Sequence, residues 1–406
     1  MKLPNGWKKV KLGDVAKVTS GGTPSKDNSS YWNGDIPWIS ALEMHNSYVG
    51  SAKLKITKEA LEKGSSLAKK DDLLLLTRGS MLWNRIPVCL CLHDVAFNQD
   101  VKCIHPNDSV NSKFLLYWFG SMENLLMNKV EGTGIGAGKL ATDFILDLNV
   151  MVPPLNEQKK IAETLSVWDK AIEKTEKLIE AKETQKKALI SNLIENNAPQ
   201  KFRIGNVKID KSNWEKRKLS EITSGFEYGM NAAAKEYDGE NKYIRITDID
   251  DISHKYNDND IVSPDGELES RYLVNKGDIL FARTGASTGK SYLYDENDGA
   301  LYFAGFLIRV HVLKDNPFFV YIQTLTSKYQ NWLKKMSMRS GQPGVNAEEY
   351  KNMPIVVPSI PEQNAIAEVI ITIDKELYLL KQQLENYKKQ KQGLMQKLLA
   401  GQWRVK

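Results

Sequence analysis

Apolar positions along this chain follow two rhythms, and the pair of rhythms occurs twice. Leu73 to Thr77, Val88 to Leu92, Ile279 to Ala282 and Tyr302 to Val312 are aliphatic, β-branched or aromatic runs broken by Gly, Pro, Asn and Asp. Runs of that length and punctuation predict strands. Short helices are predicted from Phe114 to Met127 and from Pro317 to Lys335. From Glu157 and again from Glu362 the spacing changes to threes and fours, with no Pro or Gly until near the end, which predicts a long helix in each place.

The second long helix carries Ile366, Ile370, Ile373, Leu377, Leu380, Leu384, Tyr387, Lys391, Leu394 and Leu398 along one stripe. The first carries Ile161, Leu165, Trp168, Ile172, Thr175, Ile179, Lys182, Lys186, Leu189 and Leu193 at the same steps. One such stripe suits a helix that covers its own domain. Two matching stripes with charged outer faces predict a coiled coil between the helices. At 1.5 Å per residue the second would be about 50 Å long, a spacer holding two globular parts apart. Lys186 and Lys391 fall where Leu or Ile is expected, either fixing register or snorkelling from a loosened seam.

The repetition extends to whole motifs. Trp7-Lys-Lys-Val-Lys-Leu12 returns as Trp214-Glu-Lys-Arg-Lys-Leu219, and Asp35-Ile-Pro-Trp-Ile-Ser40 as Lys242-Tyr-Ile-Arg-Ile-Thr247. Asp71-Asp-Leu-Leu-Leu-Leu-Thr-Arg-Gly79 returns as Gly277-Asp-Ile-Leu-Phe-Ala-Arg-Thr-Gly285, which sets Arg78 and Arg283 in equivalent places. Two copies this long mean a duplicated module rather than a solenoid of short repeats.

Composition narrows the class. At 406 residues, with Lys+Arg 56 against Asp+Glu 50 and a net charge of +6, the chain suits two or three globular domains. The basic excess permits a polyanionic partner and excludes a histone-like polybasic mechanism. Three cysteines cannot form a disulfide framework, no signal-peptide stretch follows Met1, and no apolar run approaches a membrane span. The expectation is a cytoplasmic protein without a membrane partner.

Fragments that look catalytic fail against their repeat. Gly285-Ala-Ser-Thr-Gly-Lys-Ser291 is one residue short of a P-loop, and the first copy lacks its Gly-Lys-Ser. Asn316-Pro-Phe-Phe319 resembles a methyltransferase motif, yet Asn111-Ser-Lys-Phe114 reads it as a helix cap and first turn. Asp100-Val-Lys102 is the tail of no complete nuclease motif. Cys89, Cys91 and His93 alternate along a strand with Cys103 nearby; zinc sites usually use Cys-x-x-Cys turns, so buried, unliganded cysteines are expected. No catalytic residue and no metal site is assigned.

Glycine-rich loops bearing Arg, Lys, Thr, Ser and Gln remain, and they recur in both copies. Their side chains and free N–H groups suit phosphates and base edges. With Gly21-Gly-Thr-Pro-Ser25 and Tyr31-Trp-Asn-Gly-Asp-Ile-Pro-Trp-Ile-Ser40, Pro153-Pro-Leu-Asn-Glu-Gln and Pro358-Ser-Ile-Pro-Glu-Gln, and the ending Leu394-Met-Gln-Lys-Leu-Leu-Ala-Gly-Gln-Trp-Arg404, the chain resembles the DNA specificity subunit of a bacterial type I restriction–modification enzyme.

The resemblance covers essentially the whole chain. It implies an α+β fold: two mixed α/β target recognition domains, 1–156 and 201–361, each followed by a long helix, 157–200 and 362–406, the helices pairing as an antiparallel coiled coil. Its seam would hold the fifteen Ile, Leu and Trp positions of the two stripes. It also implies a non-catalytic subunit. Each domain would read half of an interrupted, asymmetric site in double-stranded DNA. The subunit would direct methylase subunits, expected to number two, and motor–nuclease restriction subunits. S-adenosylmethionine, ATP and magnesium would sit on those partners, with no cofactor on this chain. Candidate DNA contacts are Thr23, Ser25, Lys26, Trp38, Ser40, Thr77, Arg78, Gly79, Thr133 and Lys139 in the first copy. In the second they are Arg245, Thr247, Arg283, Thr284, Lys290, Arg339, Ser340 and Gln342. The competing readings are a coiled-coil scaffold that does not read DNA and a stand-alone methyltransferase or nuclease.

Overall fold

The structure is a computed structural model that describes residues 3–134, 136–195, 200–338 and 343–405. Two units emerge, one from Met1–Glu176 with Gln382–Lys406 and one from Lys177–Lys381. The long helices α1 (Leu155–Ile194) and α2 (Ile360–Leu399) each begin two residues before the expected glutamate, and the division between units falls inside both. The units therefore cut the chain differently from the expected boundaries at 157, 201 and 362, because neither helix is separable from the sheets it covers. No helix among the described residues is long and apolar enough to cross a membrane.

In the first unit a five-stranded sheet runs in the order Ala16–Ser20, Val101–Pro106, Leu73–Leu76, Val88–Cys91, Tyr48–Val49. All four leucines of Leu73–Leu76 are fully buried, so the unbroken aliphatic run marks an inner strand covered on both faces. A second sheet pairs Ile36–Ile39 in parallel with Val95–Phe97, at Trp38↔Ala96 and Ile39↔Phe97. The second unit repeats this parallel pair as Tyr243↔Tyr302 and Ile244↔Phe303. Its main sheet is ordered Thr223–Tyr228, Leu307–Val312, Asp278–Ala282, Ser291–Leu293.

Local differences from the sequence reading have local causes. The run Tyr302 to Val312 is two strands, Leu301–Phe303 and Leu307–Val312, divided by a turn that the Leu307 N–H closes on the Ala304 carbonyl. Each predicted short helix is two: Ser112–Ser121 with Glu123–Met127, and Pro317–Gln323 with Ser327–Ser337. The caps are as expected, Asn111 and Asn316 accepting from the N–H of Phe114 and Phe319.

The Glu-Gln pair at the head of each long helix closes its unit. Gln158 is fully buried; its Oε1 accepts from the Asn111 N–H at 2.7 Å, and its Nε2 donates to the carbonyls of Ser109 and Pro153. Gln363 likewise accepts from the Asn316 N–H and donates to the Pro358 carbonyl, with the Asp315 carboxylate in place of the Ser109 carbonyl. Glu157 accepts from the Trp7 indole at 3.2 Å and from Arg404. Glu362 accepts from the Trp214 indole and the Asp210 N–H. Burial alone would raise the Glu362 carboxyl; those hydrogen bonds, with two from Ser359, outweigh it and hold the group below the usual carboxylate range. The tryptophan strand of each copy thereby pairs with the strand entering the helix, Lys8–Lys11 with Asn149–Val152 and Glu215–Lys218 with Pro354–Val357.

Both readings of the apolar stripes hold, in different stretches. Ile161 and Leu165 lie in the core of the first unit, joined there by Leu394 and Leu398 from the far end of α2. Ile366 and Ile370 lie in the core of the second, joined by Leu189 and Leu193 from the far end of α1. Between these ends the helices face each other antiparallel within each unit. In the first, Trp168 meets Tyr387 edge-on at 5.8 Å, with Ile172 and Leu384 half-buried. In the second, Ile179, Ile373 and Leu377 are buried and Leu380 is half-buried.

The two lysines in the seam have partners. Lys186 pairs with Asp374 at 2.5 Å, and Lys391 with Asp169, the same pair with the helices exchanged. Asp169 also accepts from the Tyr117 hydroxyl at 2.6 Å. Lys182 pairs with Glu376 and Lys388 with Glu176 in the same antiparallel sense. Side chains in both seam pairs are 20–25 % exposed, so removing one charge strands the other away from full solvation. Replacing Lys186 and Lys391 together with Leu should thus lower folding stability by about 1–2 kcal/mol per orphaned aspartate, and the melting temperature with it. Adding Asp169→Leu and Asp374→Leu should restore it. Calorimetry checks this; a higher melting point for the double lysine variant would mean the pairs do not stabilise the fold.

Candidate nucleic-acid interface

Where the inner strand of the first unit ends, the chain turns outward. Thr77 and Arg78 both donate their backbone N–H to the Asp100 carbonyl, and the Thr77 carbonyl accepts from the Leu140 N–H at 2.9 Å. This bridge aligns Arg78–Gly79 with Gly138–Lys139, placing Lys139 directly across from Arg78. Two glycines permit it: Gly79 has φ +150°, and a Cβ on Gly138 would come within 2.6 Å of Val130. The Gly-rich stretch is the hairpin above them, where Thr133 closes the turn by donating its N–H and hydroxyl to Ala137.

Arg78 and Lys139 are exposed, and neither has an ion-pair partner among the described residues. They border a hollow with Thr77, Gln99, Asp100, Lys102 and Thr142. Thr23 reaches its rim by donating its hydroxyl to Gln99 at 2.6 Å. Thr23, Thr77, Arg78, Gly79, Thr133 and Lys139 are thus brought together on one side of the unit. Gln99 and Lys102 were missed by the sequence reading because nothing local distinguishes them; strand pairing alone carries them there.

Other candidates of this copy are occupied elsewhere. Trp38 is buried against Trp32 and donates its indole N–H to the Gly22 carbonyl, so its ring is core rather than contact surface. Ser40 is spent on capping, its hydroxyl held by Glu43. Ser25 and Lys26 are exposed in the preceding loop, apart from the hollow.

In the second unit the expected cations are largely neutralised. Arg245 is held by Asp248 at 2.8 Å and by Asp260, and Thr247 donates to Asp248. Lys290 turns inward to the Ile249 carbonyl and Asp251. The P-loop-like stretch is a tight turn: Gly289 has φ +86°, and a Cβ there would overlap Leu333 at 2.1 Å. Arg339, Ser340 and Gln342 lie outside the described residues.

The expected equivalence of Arg78 and Arg283 is off by one residue. Arg283 donates its N–H to the Phe306 carbonyl and accepts from the Val345 N–H, the same bridge that Thr77 makes with Asp100 and Leu140. The counterpart of Arg78 is Thr284, which bridges to Gly344 as Arg78 faces Lys139. Successive residues of a strand point to opposite faces, so this one-residue slip gives the two arginines different surroundings. Arg283 lies beside the rings of Tyr228 and Phe306, its guanidinium carbon 4.8 and 5.7 Å from their centroids.

The cysteines are buried and free, and burial pushes the Cys89 thiol up to about 12. His93 is exposed, away from an inward-facing set. Asp72, Cys103 and His105 do cluster, with His105 Nδ1 2.8 Å from Asp72 and Nε2 2.9 Å from the Thr19 hydroxyl. The second unit repeats the pair as Asp278–His311 at 2.8 Å, with Arg309 opposite Leu280 where Cys103 stands opposite Leu74. A guanidinium in that place argues for a structural clamp: each aspartate also accepts a backbone N–H, from Lys69 or Asn275.

Comparison with known proteins adds the family. The model for the type I restriction modification DNA specificity domain matches residues 4–183 and 211–388. The MjaVIII specificity subunit of Methanocaldococcus jannaschii is 26% identical over 421 residues, covering 100% of this chain and 95% of that one. The EcoR124I/EcoR124II specificity subunit of Escherichia coli is 32% identical over 165 residues, 40% of each. The solved S subunit of a type I restriction–modification system from M. genitalium shares the fold, with TM-score 0.57, 16% identity and 98% of both chains covered.

If the hollow meets a phosphate backbone, Arg78→Ala with Lys139→Ala should weaken duplex binding for every sequence alike. The slope of log affinity against log salt should then flatten by about 2, near 0.9 per lost contact. An unchanged slope in a salt titration would mean this hairpin faces away from DNA.

Proposed function

Because this chain belongs to the type I restriction modification DNA specificity family, we propose that each unit reads one half of an interrupted, asymmetric DNA site. The observation that carries the reading is one scaffold finished in two ways. The bridges Thr77–Leu140 and Arg283–Val345 are built alike in the backbone. The first carries Arg78, Lys139 and Lys102 around a polar hollow, the second an arginine beside two aromatic rings. Equal scaffolds with unlike surfaces are what two readers of unlike sequences require.

In this reading the chain is the recognition component and performs no bond chemistry. It brings methylase subunits, two of them, and restriction subunits to the site in the cytoplasm. S-adenosylmethionine, ATP and magnesium belong to those partners. The relatives support this by name, being specificity subunits of type I restriction enzymes.

The test is an exchange. Replacing residues 3–152 by the corresponding block of a relative, with the cognate methylase present, should change one half of the methylated motif and leave the other intact. Methylome sequencing reads the result. A change in both halves would mean a shared recognition surface, and methylation without sequence preference would leave a scaffold.

A further inference from the structure

Arg283 differs from the other inward-lying arginines. Arg85 donates to the carbonyls of Met44 and His45, Arg245 is held by two aspartates, and Arg309 by Glu227 and the Leu273 carbonyl. Among the described residues the Arg283 guanidinium has no such acceptor, and its Nε is buried with no hydrogen-bond partner. Native structures rarely leave a buried donor unmade, and this exception marks a guanidinium whose polar partner, solvent or ligand, lies outside the fold's own acceptors.

The surroundings define that partner. The ring centroids of Tyr228 and Phe306 lie 4.8 and 5.7 Å from the guanidinium carbon, and the two rings are themselves 43% and 59% exposed, so the group lies near the surface. Tyr228 is fixed by its hydroxyl, which accepts from the Ala347 N–H at 3.2 Å. Phe306 is fixed through its carbonyl, which accepts from the Arg283 N–H at 3.0 Å. What the guanidinium offers a ligand is its edge, a planar fork of donors. Neighbouring rings restrain that fork before binding, which reduces the entropy lost on contact.

We infer that Arg283 is a specificity-determining residue that donates its fork to O6 and N7 of one guanine in the half-site read by the second unit. The inference rests on the reading proposed above. Guanine offers two in-plane acceptors in the major groove that match a guanidinium edge. The aromatic rim favours a base edge over a backbone phosphate. The cationic grouping suited to phosphate lies instead in the first unit, at Arg78, Lys102 and Lys139.

The experiment uses the full chain with its methylase. Arg283→Met keeps an aliphatic stem beside the rings and removes the donors; Arg283→Lys keeps the charge and loses the fork. In the methylome, both should relax one guanine of one half-site and leave the other half unchanged. On duplexes, 7-deazaguanine at that position should weaken the wild-type complex roughly ten- to a hundredfold. It should leave the variants nearly unaffected. An intact motif with uniformly weaker binding would assign Arg283 to phosphate and overturn the inference, as would an unchanged motif and affinity. If Arg283→Met does not fold, Arg283→Lys decides by the same readings. A wild-type chain that directs no sequence-specific methylation would instead defeat the underlying reading, which separates the two failures.

Discussion

An aspartate facing a lysine across two antiparallel helices, made once in each unit, is the constraint on which the rest depends. Asp169 with Lys391 and Asp374 with Lys186 are one interaction repeated with the helices exchanged. Sliding either helix by a turn would break both pairs together and leave four partly buried charges unmatched. Hydrophobic side chains tolerate such slips, since one leucine replaces another in the seam. The charges do not, which is how a polar pair sets register in an apolar contact.

That register also assigns the helix ends. Each unit's core contains the head of one long helix and the tail of the other, Ile161 with Leu398 and Ile366 with Leu193. The tail of α2 continues to Arg404, whose guanidinium meets Glu157 at the head of α1. Duplication has preserved this framework in Glu157 and Glu362, Gln158 and Gln363, and the two indoles. It has let the strand ends diverge, as Thr77 against Arg283 and Arg78 against Thr284 show. In the proposed reading, stability and recognition are therefore carried by different residues, and one can change without the other.

Much of the framework was legible from sequence. The duplication, both helical stripes, the inner strands and the asparagine caps follow from spacing and residue type, which are local properties. The allocation of Ile161 or Leu398 to a sheet core rather than a helix seam was not legible, since both environments ask for the same side chains. Nor was the neutralisation of Lys290 by Asp251, or of Arg245 by Asp260, because those partners are fixed only when the intervening loop folds. The arginine slip has the simplest cause. Matching Arg to Arg looked natural in the sequence, whereas the backbone bridge matches Arg283 to Thr77. A period-two element turns that single step into a change of face.

Amide hydrogen exchange on a chain ending at residue 381 tests the shared-helix architecture most directly. Removing residues 382–406 takes Leu398 and Leu399 from the first core, Arg404 from Glu157 and Lys391 from Asp169. The account predicts that protection falls across residues 3–176, far away in sequence, while the sheet of residues 223–312 keeps its own. Loss of protection confined to α2, or falling first in the second unit, would contradict it.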